Sequence, residues 1–351
     1  MYSLFTPAIS ELLLKACPSI SYRLRKEILG ENVSFSDFRK EILKDTRVRY
    51  VFTLSKDDGY IGDVFHGGWI PEEKRKYCTT GAESALRFLA EMGVAPEENI
   101  VKNGLDLLLK PGWNRGTGTA HCFLYRPEIG LPGEDYLRAT VFAYYSLEDF
   151  DFTRTELERT MGYFEQINKI NSWDEITGIY RNKRYYNTTV FLPWSYHIKL
   201  LAFTRGWRSP ENTAKTIKAV SHLIELSPIP DILVKYRGQL VAPAQIFPRN
   251  LRKSLIEFND KDWFPWFHTF ELFARMGIVQ NVPILKNQAS ELLELLHRGN
   301  GFFPVKPKDF HFHKWSVYSG LALEENWREE RWKYDLTFRS LLILKYSGLL
   351  Q

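Results

Sequence analysis

A short segment in the first quarter of the chain holds residue types that can move protons. Asp63, His66 and Trp69 lie within seven residues, with two glycines between the histidine and the tryptophan. A carboxylate and an imidazole can serve as general acid and base near neutral pH, and an aromatic ring can wall a pocket. We therefore predict that Asp63 and His66 are catalytic, together with Asp58 in the preceding Asp-Asp-Gly turn, and that Trp69 binds the substrate.

Aromatic and histidine side chains in other predicted loops are expected to bind the same substrate. With His66 included, four of the eight histidines lie in predicted loops. The predicted binding residues outside the first segment are Trp113, His121, Tyr185, His311 and His313. The last two histidines alternate with phenylalanines, which is typical of a half-buried extended segment, so we predict no metal site. The chain has no glycine-rich phosphate loop and no Cys-x-x-Cys pair, and we expect no cofactor.

An internal repeat predicts the elements that position these residues. Residues 86–109 match residues 270–293 without a gap, with eight identities in 24 positions. Each copy has the pattern of an apolar-periodic helix that stops at a glycine, Gly93 or Gly277, and is followed by a loop and a second helix. The repeat therefore predicts helical hairpins.

Weaker copies extend this pattern along the chain. Apolar helices that end in glycine are predicted at residues 198–206 and 341–348, and the offset of 184 residues corresponds to three units of roughly 61. Two N-terminal helices are predicted over residues 10–29 and 36–48. No convincing run of period-two strands is found.

These units indicate an all-α protein, and more specifically an α/α toroid of about six helical hairpins. A closed ring needs no capping repeat with a polar outer face, and the last predicted helix stays apolar almost to the C-terminus. We predict one domain over residues 1–351, in which the helices of residues 1–50 close the ring.

Composition excludes several classes of protein. With 351 residues, of which 44% are hydrophobic and 25% charged, the chain can bury a substantial core, which excludes a disordered or fibrous protein. The apolar runs are too short for a membrane span, and the three cysteines lie too far apart for a disulfide framework. The N-terminus lacks the basic region of a signal peptide, so we expect a cytoplasmic protein.

The charge distribution gives little information about partners. The net charge is +5, and basic clusters such as residues 23–26 and 249–253 are explained by solvated helix faces. A nucleic-acid groove would need basic residues to converge with aromatic side chains on one surface. Nucleic acid is therefore not an expected partner, and a small molecule in the central cavity is.

Two short motifs resemble those of a known superfamily. Residues 57–62 resemble the turn that opens units in the terpenoid cyclase and protein prenyltransferase α/α toroids. Residues 334–339 are similar to the start of the inner helices in the same proteins, and the likeness covers most of the chain from about residue 50 onward. The resemblance implies a toroid with a central cavity.

The resemblance also implies that Asp335 is a catalytic candidate. Class II cyclases protonate an alkene with the middle acid of Asp-x-Asp-Asp-Thr, and Asp335 and Thr337 match the middle acid and the threonine. Lys333 and Leu336 stand where the neighbouring carboxylates would be, so the partners that hold such an acid protonated are missing. The Asp-x-Cys zinc motif of the prenyltransferases is also absent.

A second resemblance concerns residues 113–118. Their sequence, Trp-Asn-Arg-Gly-Thr-Gly, is similar to a Trp-x-Arg-Gly-Asn-Gly stretch of the unsaturated glucuronyl hydrolases. Those enzymes are six-hairpin α/α barrels with acidic residues over an aromatic cavity. This likeness implies a carbohydrate-active enzyme of glycosidase or lyase type.

Three functions are compatible with the sequence. The first is a toroid whose aromatic central cavity binds an apolar, isoprenoid-like small molecule, since 15% of the residues are aromatic. The second is the carbohydrate-active enzyme, with a loop carboxylate or histidine as acid and base. The third is a non-catalytic interaction scaffold. The sequence leaves open whether the protein is an enzyme.

Overall fold

The computed structural model describes residues 2–62, 64–66, 81–114, 133–193, 195–241, 248–316 and 318–350. Helices dominate this part of the chain, in agreement with the predicted all-α class. The α-helices are α1 Tyr2–Lys15, α2 Pro18–Arg23, α3 Phe35–Ile42, α4 Thr46–Thr53, α5 Ala82–Glu91, α6 Asn99–Leu108, α7 Glu134–Tyr144, α8 Asp151–Ile167, α9 Trp173–Ile176, α10 Ser195–Phe203, α11 Pro210–Glu225, α12 Asp260–Met276, α13 Pro283–Arg298 and α14 Arg331–Tyr346.

Four short strands accompany the helices. They form two antiparallel hairpins, β1 Thr177–Tyr180 with β2 Lys183–Tyr186, and β3 Val234–Tyr236 with β4 Gln239–Val241. A π-helical turn, Leu24–Ile28, continues α2, and 3₁₀ turns lie at Leu255–Glu257, Val279–Asn281 and Phe310–Phe312. The strands were not predicted. They span only three or four residues each, which is too short for a period-two pattern to stand out.

Two kinds of helix alternate along the chain. In α5, α7, α10, α12 and α14 the middle of the helix is buried on nearly every side, as in Ser195–Ala202 of α10. In α6, α8, α11 and α13 one side alone is buried; the buried positions of α11 are Thr216, Ala219, Val220, Leu223 and Ile224. A helix that is buried all round must be enclosed by other elements, and an amphipathic helix covers a core.

The repeated hairpin is confirmed by the structure. Its two copies are α5 with α6 and α12 with α13, and the glycine after the first helix has a positive φ in both, 85° at Gly93 and 77° at Gly277. The residue after each glycine donates its N–H to the carbonyl five residues earlier, Val94 to Leu89 and Ile278 to Phe273. This is the hydrogen bond of a Schellman motif, which ends a helix on a left-handed residue.

The chain divides into two compact units. The first contains Met1–Thr117, Asn259–Phe264 and Ala289–Gln351, and the second contains Gly118–Phe258 and Pro265–Gln288. In the second unit α7 packs against α8 and α10, and α8 packs against α11. In the first unit α14 packs against α1, α2 and the π-helical turn, and α5 packs against α6. The prediction of a single domain stays a prediction.

One long connection in the first unit has little regular structure. It joins α13 to α14, and buried or half-buried charged side chains hold its backbone. Arg47 of α4 donates to the carbonyls of Ala322, Leu323 and Glu324. The other groups that hold it are Arg87 of α5, bonded to the carbonyls of Ser316 and Ser319, and Arg339 of α14, bonded to that of Leu321. These bonds replace the ladder that a helix or strand would supply.

The N-terminal helices differ from their predicted bounds. The helix expected over residues 10–29 is split between α1 and α2, because Pro18 cannot continue α1 and instead occupies the first turn of α2. Among the described residues no helix combines the length and the apolar character needed to cross a bilayer.

Candidate functional site

The segment Val64–His66 lies against the N-terminus of α5. The first N–H groups of a helix have no partner within the helix. Here the N–H of Ala82 donates to the carbonyl of Val64 at 3.0 Å, and that of Glu83 donates to the carbonyl of Phe65 at 2.9 Å. This backbone pairing places the side chain after Phe65 beside the first turn of α5.

That side chain is His66, and it forms a close pair with Glu83. Its Nδ1 lies 2.5 Å from Oε2 of Glu83, and the two side chains are 9% and 4% exposed. A carboxylate at Nδ1 keeps the proton on that nitrogen, so the lone pair of the neutral ring lies on Nε2. The same carboxylate stabilises the imidazolium that forms when Nε2 takes up a proton. The pair is therefore suited to proton transfer at Nε2.

A tyrosine faces the other nitrogen of His66. The hydroxyl of Tyr318 lies 3.4 Å from Nε2, which is longer than an ordinary hydrogen bond, and the two ring centres are 6.1 Å apart. Arg87, one turn after Glu83 on α5, donates to the carbonyls of Ser316 and Ser319 on either side of the tyrosine. Helix α5 thus positions both the histidine and the tyrosine of the site.

The aromatic neighbours of this site include one predicted binding residue. Trp113 is 9% exposed, and its ring packs edge-on against that of Phe65 with centres 4.8 Å apart. The buried hydroxyl of Tyr60 donates to the carbonyl of Trp113 at 2.6 Å. Trp113 and the backbone next to His66 are therefore packed together, as the prediction of a shared site requires.

The remaining acids of the first predicted segment have different positions. Asp58 is exposed, and its Oδ1 accepts a hydrogen bond from the N–H of Tyr60 at 3.0 Å, as expected for a turn residue. Asp63, Trp69 and His121 lie outside the described residues.

Asp335 lies in the interior of the first unit, in a separate polar cluster. It is 1% exposed, and its carboxylate accepts hydrogen bonds from the N–H groups of Leu323 and Glu324 and from the indole of Trp327. Burial, and then the neighbouring Glu324 carboxylate, raise the pKa of Asp335 to about 7. These three partners all belong to the α13–α14 connection, so this carboxyl organises a loop.

The two predicted histidines of that connection are placed differently. His313 is half-buried with its ring edge-on to Trp327 at 4.4 Å, and burial and the charge of Arg47 lower its pKa to about 4. The His311 side chain is 46% exposed, and its Nδ1 lies 2.6 Å from Oδ1 of Asp309. Within the described part of the chain, neither histidine forms a hydrogen bond, an ion pair or a ring contact with His66 or Glu83.

Tyr185 belongs to the second unit. It is half-buried in β2 and faces Tyr180 of β1, with ring centres 6.4 Å apart.

A cavity of about 400 Å³ opens beside the Asp335 cluster, and polar groups line much of it. Its lining includes Lys15, Cys17, Glu324 and Arg331, and none of its lining residues is aromatic. Burial, and then the Glu324 carboxylate, raise the pKa of the Cys17 thiol well above its usual value, so this thiol is a poor nucleophile at neutral pH. This cavity is not the aromatic one that the sequence predicts.

Among the described residues no group of three or more histidine, cysteine, aspartate or glutamate side chains is arranged to hold a metal ion. Comparisons with family models, with curated proteins and with solved structures give no match. The site geometry is therefore the basis for a functional assignment.

Two residues of the site were not predicted from the sequence. Glu83 follows His66 by 17 residues and lies within a helix whose pattern indicates packing, and Tyr318 is 252 residues away from the histidine. An acid at the second position of a helix is common because it interacts favourably with the helix dipole, so Glu83 carries no separate signal. A contact so distant in sequence as that of Tyr318 is visible only in the fold.

Proposed function

We propose that the protein is an acid–base enzyme of the carbohydrate-active class, in which His66 moves the proton. The observation that carries the acid–base role is the 2.5 Å contact between Nδ1 of His66 and Oε2 of Glu83. The substrate class rests on the resemblance of residues 113–118 to the unsaturated glucuronyl hydrolases. A buried carboxylate that fixes the tautomer of a histidine is the arrangement that general base catalysis requires.

Within this class the geometry favours a lyase over a glycosidase. Glycoside hydrolysis uses two carboxyl groups on opposite sides of the scissile bond. Among the described residues, Glu83 is the carboxylate that contacts His66. A syn β-elimination uses instead a base and an acid on the same side of the substrate, and Nε2 of His66 and the hydroxyl of Tyr318 lie side by side.

The reaction can be written for a uronic acid residue. His66 Nε2 removes the proton from the carbon next to the substrate carboxylate, and the electron pair of that C–H bond forms a carbon–carbon double bond. The bond from the neighbouring carbon to the glycosidic oxygen breaks. Tyr318 donates its hydroxyl proton to that leaving oxygen. The imidazolium of His66 then passes the proton that it took from carbon to the tyrosinate, directly or through solvent, so that both side chains return to their starting state. Arg87 acts as a positioning residue, because it holds the backbone on both sides of the tyrosine.

We also propose the finer arrangement of the fold, an α/α toroid with the buried helices inside and the amphipathic helices outside. The alternation of the two helix types supports it. So do the contacts of α7 with α10 and of α8 with α11 in the second unit, which pair helices of the same type from successive hairpins. A cytoplasmic location and an apolar ligand in the central cavity stay predictions.

The proposed activity is tested by incubating the full chain with uronic acid-containing oligosaccharides and recording the ultraviolet absorbance of the new conjugated double bond. We expect turnover that falls at least a thousandfold in His66→Gln and Glu83→Gln. His311→Gln is the matched control, because His311 also has a carboxylate at Nδ1, that of Asp309, but its side chain is half-exposed.

Equal activity in His66→Gln and wild type would remove the assignment of His66. If no uronic acid substrate reacts, the proposed lyase activity is wrong. If native mass spectrometry of the purified protein then found a bound apolar molecule, the apolar-ligand hypothesis would replace it.

A further inference from the structure

The two β-hairpins of the second unit lie side by side. The N–H of Tyr186 in β2 donates to the carbonyl of Leu233 at 3.0 Å, and the N–H of Leu233 donates to the carbonyl of Arg184 at 2.9 Å. Tyr185 and Leu233 therefore pair in parallel and connect β2 to the start of β3. The four strands form a small continuous surface in the order β1, β2, β3, β4.

One face of this surface carries aromatic rings and positive charges. Residues paired across a hairpin point to the same side, so Tyr180 and its partner Lys183 share a face with Tyr185, which pairs with Gly178. Lys235 of β3 joins them, because its ammonium lies 4.3 Å from the ring centre of Tyr180 and 5.1 Å from that of Tyr185. We call this set of four side chains the tyrosine face.

Charge on the two hairpins has a single sign. Residues 176–190 and 232–241 contain five lysine and arginine residues and no aspartate or glutamate. In the turn between β1 and β2, the guanidinium of Arg181 lies 5.1 Å from the ring centre of Tyr180. Arg184 points to the opposite face, where it pairs with Asp174. The tyrosine face thus combines two half-buried rings with the cations of Lys183, Lys235 and Arg181.

We infer that the tyrosine face binds single-stranded nucleic acid. Phosphate groups would bind the cations, and unstacked bases would stack on the ring faces that Lys235 and Arg181 now cover. Proteins that bind single strands use this combination. An acidic sugar chain also carries charge, but carboxylate and amide side chains are the strongest partners of its hydroxyl groups. The strands contribute none to this face, since the side chains of Tyr180, Lys183, Tyr185 and Lys235 supply only hydroxyl and ammonium groups.

This inference concerns surface residues of the second unit and does not depend on the proposed lyase activity. It also revises the expectation that nucleic acid is no partner. That expectation was made because the sequence shows no surface on which basic and aromatic residues converge. The tyrosine face is such a surface, and it does not include the basic clusters at residues 23–26 and 249–253. The converging residues come from two chain segments about fifty residues apart, each with only two or three cations.

The test is fluorescence anisotropy of a labelled oligouridylate of about 12 nucleotides with the full chain. We expect binding whose logarithmic salt dependence has a slope of about −2, as three phosphate contacts would give. Tyr180→Ala and Tyr185→Ala should each weaken binding about tenfold, and Lys235→Gln should weaken it and reduce the slope by about 0.7.

Two variants serve as matched controls. Ile179→Ala changes an exposed side chain of the same strand on the opposite face, and Lys102→Gln removes one exposed positive charge in the other unit. Both should bind like the wild type. The inference is overturned if the tyrosine variants bind as tightly as these controls, or if no binding is measured at low salt. Displacement of the oligonucleotide by polygalacturonate at equal charge concentration would also overturn it and assign the face to acidic polysaccharides.

Discussion

The carboxylate of Asp335 accepts a hydrogen bond of 2.7 Å from the indole nitrogen of Trp327, eight residues before it in the chain. Together with the two backbone N–H groups that it also accepts from, Asp335 ties the end of the α13–α14 connection to the helix that follows. A carboxyl group in this position, with a pKa of about 7, makes stability depend on pH.

Replacing Asp335 by Asn should flatten this dependence. In the folded protein Asp335 keeps its proton up to about pH 7, whereas in the unfolded chain its pKa is near the ordinary 3.8. Unfolding therefore releases a proton between these two values, and the free energy of unfolding falls as pH rises through that range, by about 1 kcal/mol per pH unit from this group. Urea unfolding of Asp335→Asn from pH 4 to 8 should show a smaller slope than the wild type.

The free energy of unfolding of Asp335→Asn should still depend on pH, although less steeply than that of the wild type. Burial also raises the pKa of Glu156 to about 7, and Glu156 belongs to the other unit. Identical slopes in Asp335→Asn and wild type would show that Asp335 is ionised throughout the range.

Glu83→Gln should remove the tautomer preference of His66. The carboxylate only accepts hydrogen bonds, so it requires the proton on Nδ1, whereas an amide can accept from or donate to that nitrogen. Nitrogen NMR of labelled histidine should show Nδ1 protonated in the wild type and a mixture in the variant. A wild-type His66 with its proton on Nε2 would contradict the proposed base. Tyr318→Phe, which leaves Glu83 in place, should keep the wild-type tautomer.

The repeat glycines should differ in their tolerance of alanine. Both Gly93 and Gly277 have positive φ, which alone costs about 1 kcal/mol for a residue with a Cβ. A Cβ at Gly277 meets no atom within 4 Å, whereas one at Gly93 would lie 2.7 Å from Cδ1 of the buried Tyr22. We expect a loss of about 1 kcal/mol for Gly277→Ala and about 3 kcal/mol for Gly93→Ala, measured by urea unfolding. Equal losses would show that Tyr22 can move aside.

Arg47→Lys should destabilise the first unit although it keeps the charge. Arg47 bonds three successive carbonyls and also pairs with Asp45 at 2.8 Å, which a single ammonium cannot reproduce. We expect a loss of about 2 kcal/mol in the free energy of unfolding. Arg25→Lys is the control, since the Arg25–Glu31 pair lies at the surface and should change stability by less than about 0.5 kcal/mol.

The helical hairpins were predictable because their signal is local. A helix that stops at glycine, as at Gly93 and Gly277, is specified by apolar spacing and one residue of special backbone conformation. The β-hairpins were missed for the opposite reason. Their strands are short, and each turn begins with an arginine at positive φ, Arg181 or Arg237, where asparagine or glycine is usual; Asn182 and Gly238 follow, also at positive φ.

The candidate site was predictable only in part. His66 and Trp113 were identified from residue type and neighbouring motifs, and the structure packs Trp113 beside the backbone of the His66 segment. The partners that give His66 its chemistry come from an ordinary helix turn, Glu83, and from a distant connection, Tyr318. The sequence around Glu83 and Tyr318 does not indicate their role, because that role depends on their contact with His66 in the folded protein.

The α13–α14 connection also affects where proteases cleave the folded protein. An irregular stretch of this length is ordinarily where cleavage begins, since enzymes need a locally extended substrate. Here four side chains on three helices hydrogen-bond to its main chain: Arg47, Arg87, Arg339 and Asp335. Releasing the connection would leave these charged groups without their hydrogen-bond partners. Trypsin or thermolysin should therefore nick the folded molecule elsewhere, and cuts within this connection will mark molecules whose first unit has already come apart.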